Sequence, residues 1–181
     1  GSNFERLRAV LLAMRDTSGT KDAIRAWVSD EFDIELSERH VYINANSATV
    51  LGLARTEPRT GSRDVQRWGV SAAGAEYLRS TPTSPQAQQV LAAAIRDVAL
   101  IEVLLGELQA AGTSTIAEID EAIERETEGL SAASVSRRSS AVRKWLSVLP
   151  EVTVETSGSS KTYRYDPDPD DQSRLAWFDD S

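Results

Sequence analysis

The chain has 181 residues, 40% of them hydrophobic and 27% charged, with no cysteine and a single histidine. These proportions are those of an ordinary globular protein, enough for one large domain or two small ones. They exclude disulfides and cysteine-based zinc sites, leave little scope for imidazole chemistry, and include no apolar run of the roughly 18 residues that a membrane span needs. With no secretory leader pattern at the start, a cytoplasmic location without membrane association is expected. Gly1 and Ser2 read as a remnant of cloning, with the natural chain extending further in that direction.

The net charge of −8 at first weighs against a nucleic-acid partner. Its distribution changes that reading. Residues 166–181 hold six aspartates against Arg174, a local −5 that leaves −3 for the rest, and much of the remaining acid falls within 118–128. Basic residues are therefore segregated, and arginine far outnumbers lysine, which suits phosphate and guanine contacts.

In chain order, residues 4–14 place Phe4, Leu7, Val10, Leu11 and Met14 on one helical face, ended by Ser18 and Gly19. Thr20 reads as the N-cap of a second helix with Ala23, Ile24, Trp27 and Val28 inward. Ser37 caps a third helix to about Leu51, stopped by Gly52. An extended stretch at 53–57, a turn-rich segment, a second extended stretch at 65–70 and a short helix from Ser71 follow. TPTSP at 81–85 is the expected linker. Residues 86–110 read as one long helix, apolar enough all round to be expected in a buried position between two halves. Gly112 stops it, and Ile116, Ile119 and Ile123 mark another amphipathic helix.

The next stretch, 130–149, has two unlike faces as a helix. Val135, Ser139, Val142, Leu146 and Leu149 form a core stripe edged by Trp145. The opposite side carries Arg137, Ser140 and Lys144, flanked by Ser136, Arg138 and Arg143, and no acid occurs between Ala132 and Val148. A helix apolar behind, basic and hydroxyl-bearing in front, is what a DNA major groove accepts, and equally what a solvated surface helix looks like. Strands at 151–155 and 161–165 around a Gly/Ser turn at 156–160 complete the pattern, and 167–181 is expected to be an unstructured acidic tail. Helix, helix, helix, strand, turn and strand thus occur twice, with a period of roughly 95 residues, as a duplicated domain would give.

Three helices followed by a two-stranded wing resemble the winged-helix variant of the helix-turn-helix class. LGLARTE at 51–57 and SAAGAEYL at 71–78 resemble that family's Leu-Gly-Leu corner and closing helix. SRRSSAVRKWLSVL at 136–149 resembles recognition helices of winged-helix domains attached to prokaryotic restriction and defence proteins. The resemblance implies a mainly α fold with small β wings (α+β): two winged-helix domains in tandem, 3–80 and 86–166, joined by a long central helix. It implies groove-reading helices at 38–51 and 132–149, with wings at 58–64 and 156–161. For the second copy it implies DNA contacts from Ser136, Arg137, Arg138, Ser140, Arg143 and Lys144, with Lys161 and Arg164 toward phosphate. For the first, Arg39, His40, Asn44 and Asn46 are candidates for base contact, and Arg55, Arg59, Arg63 and Arg67 around the wing either track phosphates or are simply solvated. Pro150 stands where that family often has Gly.

Ile43 and Val50 fall on the outer face of the first copy's third helix if Val41, Ala45 and Ala48 are core; either that face meets a neighbour or the helical phase differs. His40 lacks partners for a metal site. Asp166, Asp168 and Asp170 lack the Gly and closing Glu of a calcium loop. Glu118, Glu121 and Glu124 read as a solvated helical face, and no nucleophile elbow or phosphate-binding glycine loop occurs. No enzymatic activity and no cofactor is expected. The leading expectation is a module that binds double-stranded DNA, as the targeting part of a larger restriction, defence or regulatory protein. The competing one is a protein-interaction or dimerisation adaptor, acting as a homodimer or within a larger assembly.

Overall fold

Capping side chains set most helix boundaries. In the computed structural model, which describes residues 3–59, 61 and 64–166, α1 (Asn3–Asp16) leads through Gly19, at φ 75°, to Thr20. The Thr20 hydroxyl accepts from the Ala23 amide and starts α2 (Lys21–Phe32); Ser37 does the same for His40 and starts α3 (Glu38–Val50). The Leu53 amide then donates back to Ala48 O, turning the chain at Gly52 into β1 (Ala54–Thr56). β1 pairs antiparallel with β2 (Trp68–Val70), Arg55 opposite Gly69, and α4 (Ala72–Leu78) follows the cap at Ser71. Pro85 opens α5 (Pro85–Arg96) from a Ser84 cap.

The chain divides into two compact units, 1–94 and 95–181. The division falls inside α5, whose first residue, Pro85, is the last of the 81–85 stretch expected as a linker. In unit 1, α1 packs on α2, α3 and β2. Leu7, Val10, Leu11, Ile24, Val28, Val41 and Leu53 are buried there, burial worth about 1.5–3 kcal/mol for each large side chain. Arg8 spans α1 and α4: its guanidinium lies 5.0 Å from the Tyr77 ring centre and donates to the Tyr77 carbonyl.

Unit 2 contains α6 (Ala99–Ala111), β3 (Thr113–Thr115), α7 (Ile116–Glu126), α8 (Ala132–Ser147), β4 (Val152–Ser157) and β5 (Ser160–Tyr165). A reciprocal capping box of Thr115 and Glu118 starts α7. The antiparallel sheet has the order β3-β5-β4, and the β4–β5 hairpin turns at Gly158 and Ser159 with positive φ at Gly158 alone, the arrangement of a type II′ turn. Ile101, Leu104, Leu108, Ile119, Ile123 and Leu146 make the buried centre.

The protein is mainly helical with small antiparallel sheets, an α+β fold. The order helix, helix, helix, strand, strand occurs in both units. Each also has an extended pairing before its second helix that sequence periodicity does not reveal: the three-residue β3 in unit 2 and the single Thr20–Arg67 bridge in unit 1. The single long helix expected over 86–110 is two helices. Val98 is extended (φ −74°, ψ 119°) and breaks it, a conformation its β-branched side chain accepts readily. Nor is α6 buried all round: Ile101, Leu104 and Leu108 face inward while Glu102 and Val103 are exposed. The turn expected over 156–160 is only two residues long, because pairing continues to Ser157 and Ser160. No helix among the described residues is long and apolar enough to cross a membrane. Arg63 and the 167–181 tail lie outside the described residues.

Gly74 is buried in α4, where an added Cβ would meet Leu53 O at 1.9 Å, whereas at Gly106 in α6 nothing lies within 4 Å. Gly74→Ala is expected to destabilise the protein by about 2–3 kcal/mol, and Gly106→Ala to stabilise it by about 0.5–1 kcal/mol. Urea denaturation of both variants checks this.

The Arg96 guanidinium holds the Glu151 carboxyl below its ordinary range through a bidentate contact at 2.8 Å, against the opposite pull of partial burial. Glu151 is thus harder to protonate in the folded chain. Its contribution to stability is complete above the ordinary glutamate range and lost as pH falls through the lowered value. Thermal melts from neutral to acid pH are expected to show Glu151→Gln less stable at neutrality but less sensitive to acidification than the parent chain.

Candidate nucleic-acid interface

The orientation of α8 follows from what it buries. Ser131 caps it by accepting from the Ser134 amide, and Ser139, Val142 and Leu146 lie inward, with Leu149 buried just beyond its end. Val135 and Trp145 are half-buried at the edges of this stripe. At 100° per residue, burial of this stripe turns Arg137, Ser140 and Lys144 to the opposite side, and all three are exposed. Arg137 Nε donates to Ala133 O at 3.1 Å, which lays its stem along the helix. Ser136 and Arg138 are exposed beside them, as is Lys161, on β5 two residues past the hairpin turn. Among the described residues, Arg137, Arg138, Lys144 and Lys161 pair with no acidic side chain.

Two of the expected DNA contacts are otherwise engaged. Arg143 donates to both Asp120 carboxylate oxygens at 2.5 and 2.6 Å, tying α8 to α7 rather than projecting from the body. Beneath this pair burial pushes the Tyr163 phenol up, offset by Arg143 and reinforced by Asp120. Arg164 contacts Glu155 at 2.5 Å and Asp166 at 3.0 Å, and Asp166 followed by Glu155 raises its pKa. A phosphate at Arg164, whose Nε and both Nη atoms are engaged, would have to displace a carboxylate, whereas Arg143 engages Asp120 through Nη1 and would meet a phosphate with its charge already offset.

In unit 1, Val41, Ala45 and Ala48 are buried, so the helical phase of α3 is the expected one, and its outer face shows Ile43 and Val50 beside the exposed Arg39 and Asn46. Ile43 is 47% and Val50 59% exposed. Tyr42 is also exposed, and its ring meets Trp68 edge-on at 5.4 Å. Arg39 and His40 are exposed in the first turn of α3. Asn44 is half-buried, its amide donating to His40 O at 2.8 Å, so one of its donors is spent within the helix. Arg59 is exposed after β1, while nearby Arg55 donates to Val70 O and pairs with Glu57. The structure thus gathers Arg137, Ser140 and Lys144 on one outward face, and joins Arg39 and His40 on a separate helix start.

The engagement of Arg164 had a sequence signal: Asp166 follows it by two residues, the same-face spacing of a strand. Arg143 and Asp120 are 23 residues apart on different helices, and no local pattern links them. No family model and no curated protein was found to match this chain.

Removing a structural ion pair should cost stability, whereas removing an outward cation should not. Arg143→Gln and Asp120→Asn are each expected to lower stability by about 1 kcal/mol, with a coupling of at least half that in the double mutant. Arg137→Gln is expected to stay within about 0.5 kcal/mol of the parent. A double-mutant cycle by chemical denaturation distinguishes the two roles.

Proposed function

We propose that this chain is a tandem winged-helix, DNA-binding module, in which α8 enters the major groove of duplex DNA and the β4–β5 hairpin serves as a wing along the phosphate backbone. The observation that carries this reading is the outward face of α8. It holds Arg137, Ser140 and Lys144, with no acid anywhere in the helix and no acidic partner for either cation among the described residues. Arginine and lysine recognise guanine edges and phosphates, and a serine hydroxyl both donates and accepts. Lys161 at the hairpin supplies a further phosphate contact, and Arg138 another at the flank. Such a module suits the targeting part of a larger restriction, defence or regulatory assembly.

A second reading, a protein-interaction or dimerisation adaptor, is favoured by one observation: α3 turns Tyr42, Ile43 and Val50 outward. Apolar side chains in that position suit a protein surface better than a hydrated groove. Light scattering reports on it: a stable dimer lost on Ile43→Ser with Val50→Ser would favour the adaptor.

Fluorescence anisotropy with random duplex across a salt series tests the DNA reading. With four outward cations engaged, the logarithm of the association constant is expected to fall against log salt with a slope of about −3 to −4. Arg137→Glu combined with Lys144→Glu is expected to abolish binding while leaving the thermal melt unchanged. Unchanged affinity in that variant, or no salt dependence, would sink the assignment.

A further inference from the structure

We propose that the acidic segment 167–181 docks on the basic outward face of α8 and occupies it in competition with duplex DNA. The docking stands on charge and geometry; the competition rests on the DNA reading above. The segment holds Asp168, Asp170, Asp171, Asp179 and Asp180 against Arg174. The face it would cover carries Arg137, Arg138 and Lys144 without acidic partners among the described residues. Opposite charges of this number, unsatisfied on one side and concentrated on the other, form a complementary pair within one chain.

The path into the segment already shows the same chemistry. Asp166, immediately before it, accepts from Thr153 Oγ1 at 2.5 Å and from Arg164 Nε at 3.0 Å, and these contacts hold its carboxyl below the ordinary range. Its amide donates to Glu151 O at 2.8 Å, just past the corner that ends α8. The first aspartate of the run is therefore paired with a unit 2 arginine, close to the C-terminal end of the basic helix. From there, fifteen residues extend at most about 50 Å, and the sixteen residues of α8 rise about 24 Å. The whole basic face lies within reach. A tether of this length sets a local concentration of about millimolar, enough to populate a contact too weak to form between separate molecules.

The test uses the full chain. One variant carries Asp→Asn at 168, 170, 171, 179 and 180. A charge-matched control replaces five exposed acids elsewhere: Asp30→Asn, Glu102→Gln, Glu121→Gln, Glu124→Gln and Glu128→Gln. Amide resonances of Arg137, Ser140 and Lys144 are compared with the parent at low and high salt, and duplex affinity is measured by anisotropy. Docking predicts that the tail variant shifts these resonances at low salt only, and that its affinity for random duplex rises about tenfold, with the gain fading as salt screens the contact. Superimposable spectra overturn the proposal, as does an equal affinity gain in the control, which would mark a bulk-charge effect. Shifted resonances in a chain that binds no duplex in any form would uphold docking and remove the DNA reading instead.

Discussion

Burial of one narrow stripe on α8 fixes what that helix can present to the outside. Val142 and Leu146 on the helix, and Leu149 beyond it, are each nearly inaccessible to solvent, and each would cost several kcal/mol to expose or truncate. That penalty holds the rotation of α8 about its axis. A turn of 100° in either direction would bring an arginine or lysine into the core, where an unpaired charge is far more costly than the lost packing. The exposure of Arg137, Ser140 and Lys144 is thus a consequence of the core and needs no separate contact to maintain it. The Arg143–Asp120 pair adds a lateral restraint between α8 and α7.

An acidic protein keeps a basic face by pairing its cations selectively. Arg143 and Arg164 lie next to carboxylates and are locally neutral, whereas Arg137, Arg138 and Lys144 on α8 are not. At physiological salt a charge is screened over about 8 Å, so acids beyond that range weigh much less at the α8 face than a net charge of −8 suggests. Net charge governs long-range approach and solubility; local pairing governs contact. The two point in opposite directions here, which is why composition alone is a poor guide to this protein's partners.

What sequence made legible was local. The inward phases of α3 and α8 follow from spacing within one helix, and Thr20 and Ser37 are recognisable as caps because a cap acts within three residues. The break at Val98 is invisible by the same logic. Ile95, Val98 and Ile101 keep helical spacing across it, so the apolar pattern continues where the backbone does not. β3 is three polar residues long and exists because β5, nearly fifty residues later, supplies its hydrogen-bond partners. In the candidate interface, the outward position of Arg137 and Lys144 was readable, but the capture of Arg143 by Asp120 depends on how two helices meet. Exposure is largely a property of one helix, whereas pairing is a property of the packed unit.

The two units share an order of elements and differ in what their third helices show to solvent. On α3 the residues opposite Val41, Ala45 and Ala48 include Ile43 and Val50, with charge confined to the first turn. On α8 the corresponding side is cationic and hydroxyl-bearing along most of its length. Desolvating Ile43 and Val50 is favourable at about 25 cal/mol per Å² wherever the partner is apolar, and yields little against a hydrated phosphate backbone. Covering Arg137 and Lys144 with an apolar surface strips water from charges and gives nothing in return, while a polyanion satisfies both. A similar order of elements therefore does not imply the same surface chemistry. The exposed side chains of α8 thus suit a polyanion better than an apolar surface, and for Ile43 and Val50 on α3 the preference is reversed.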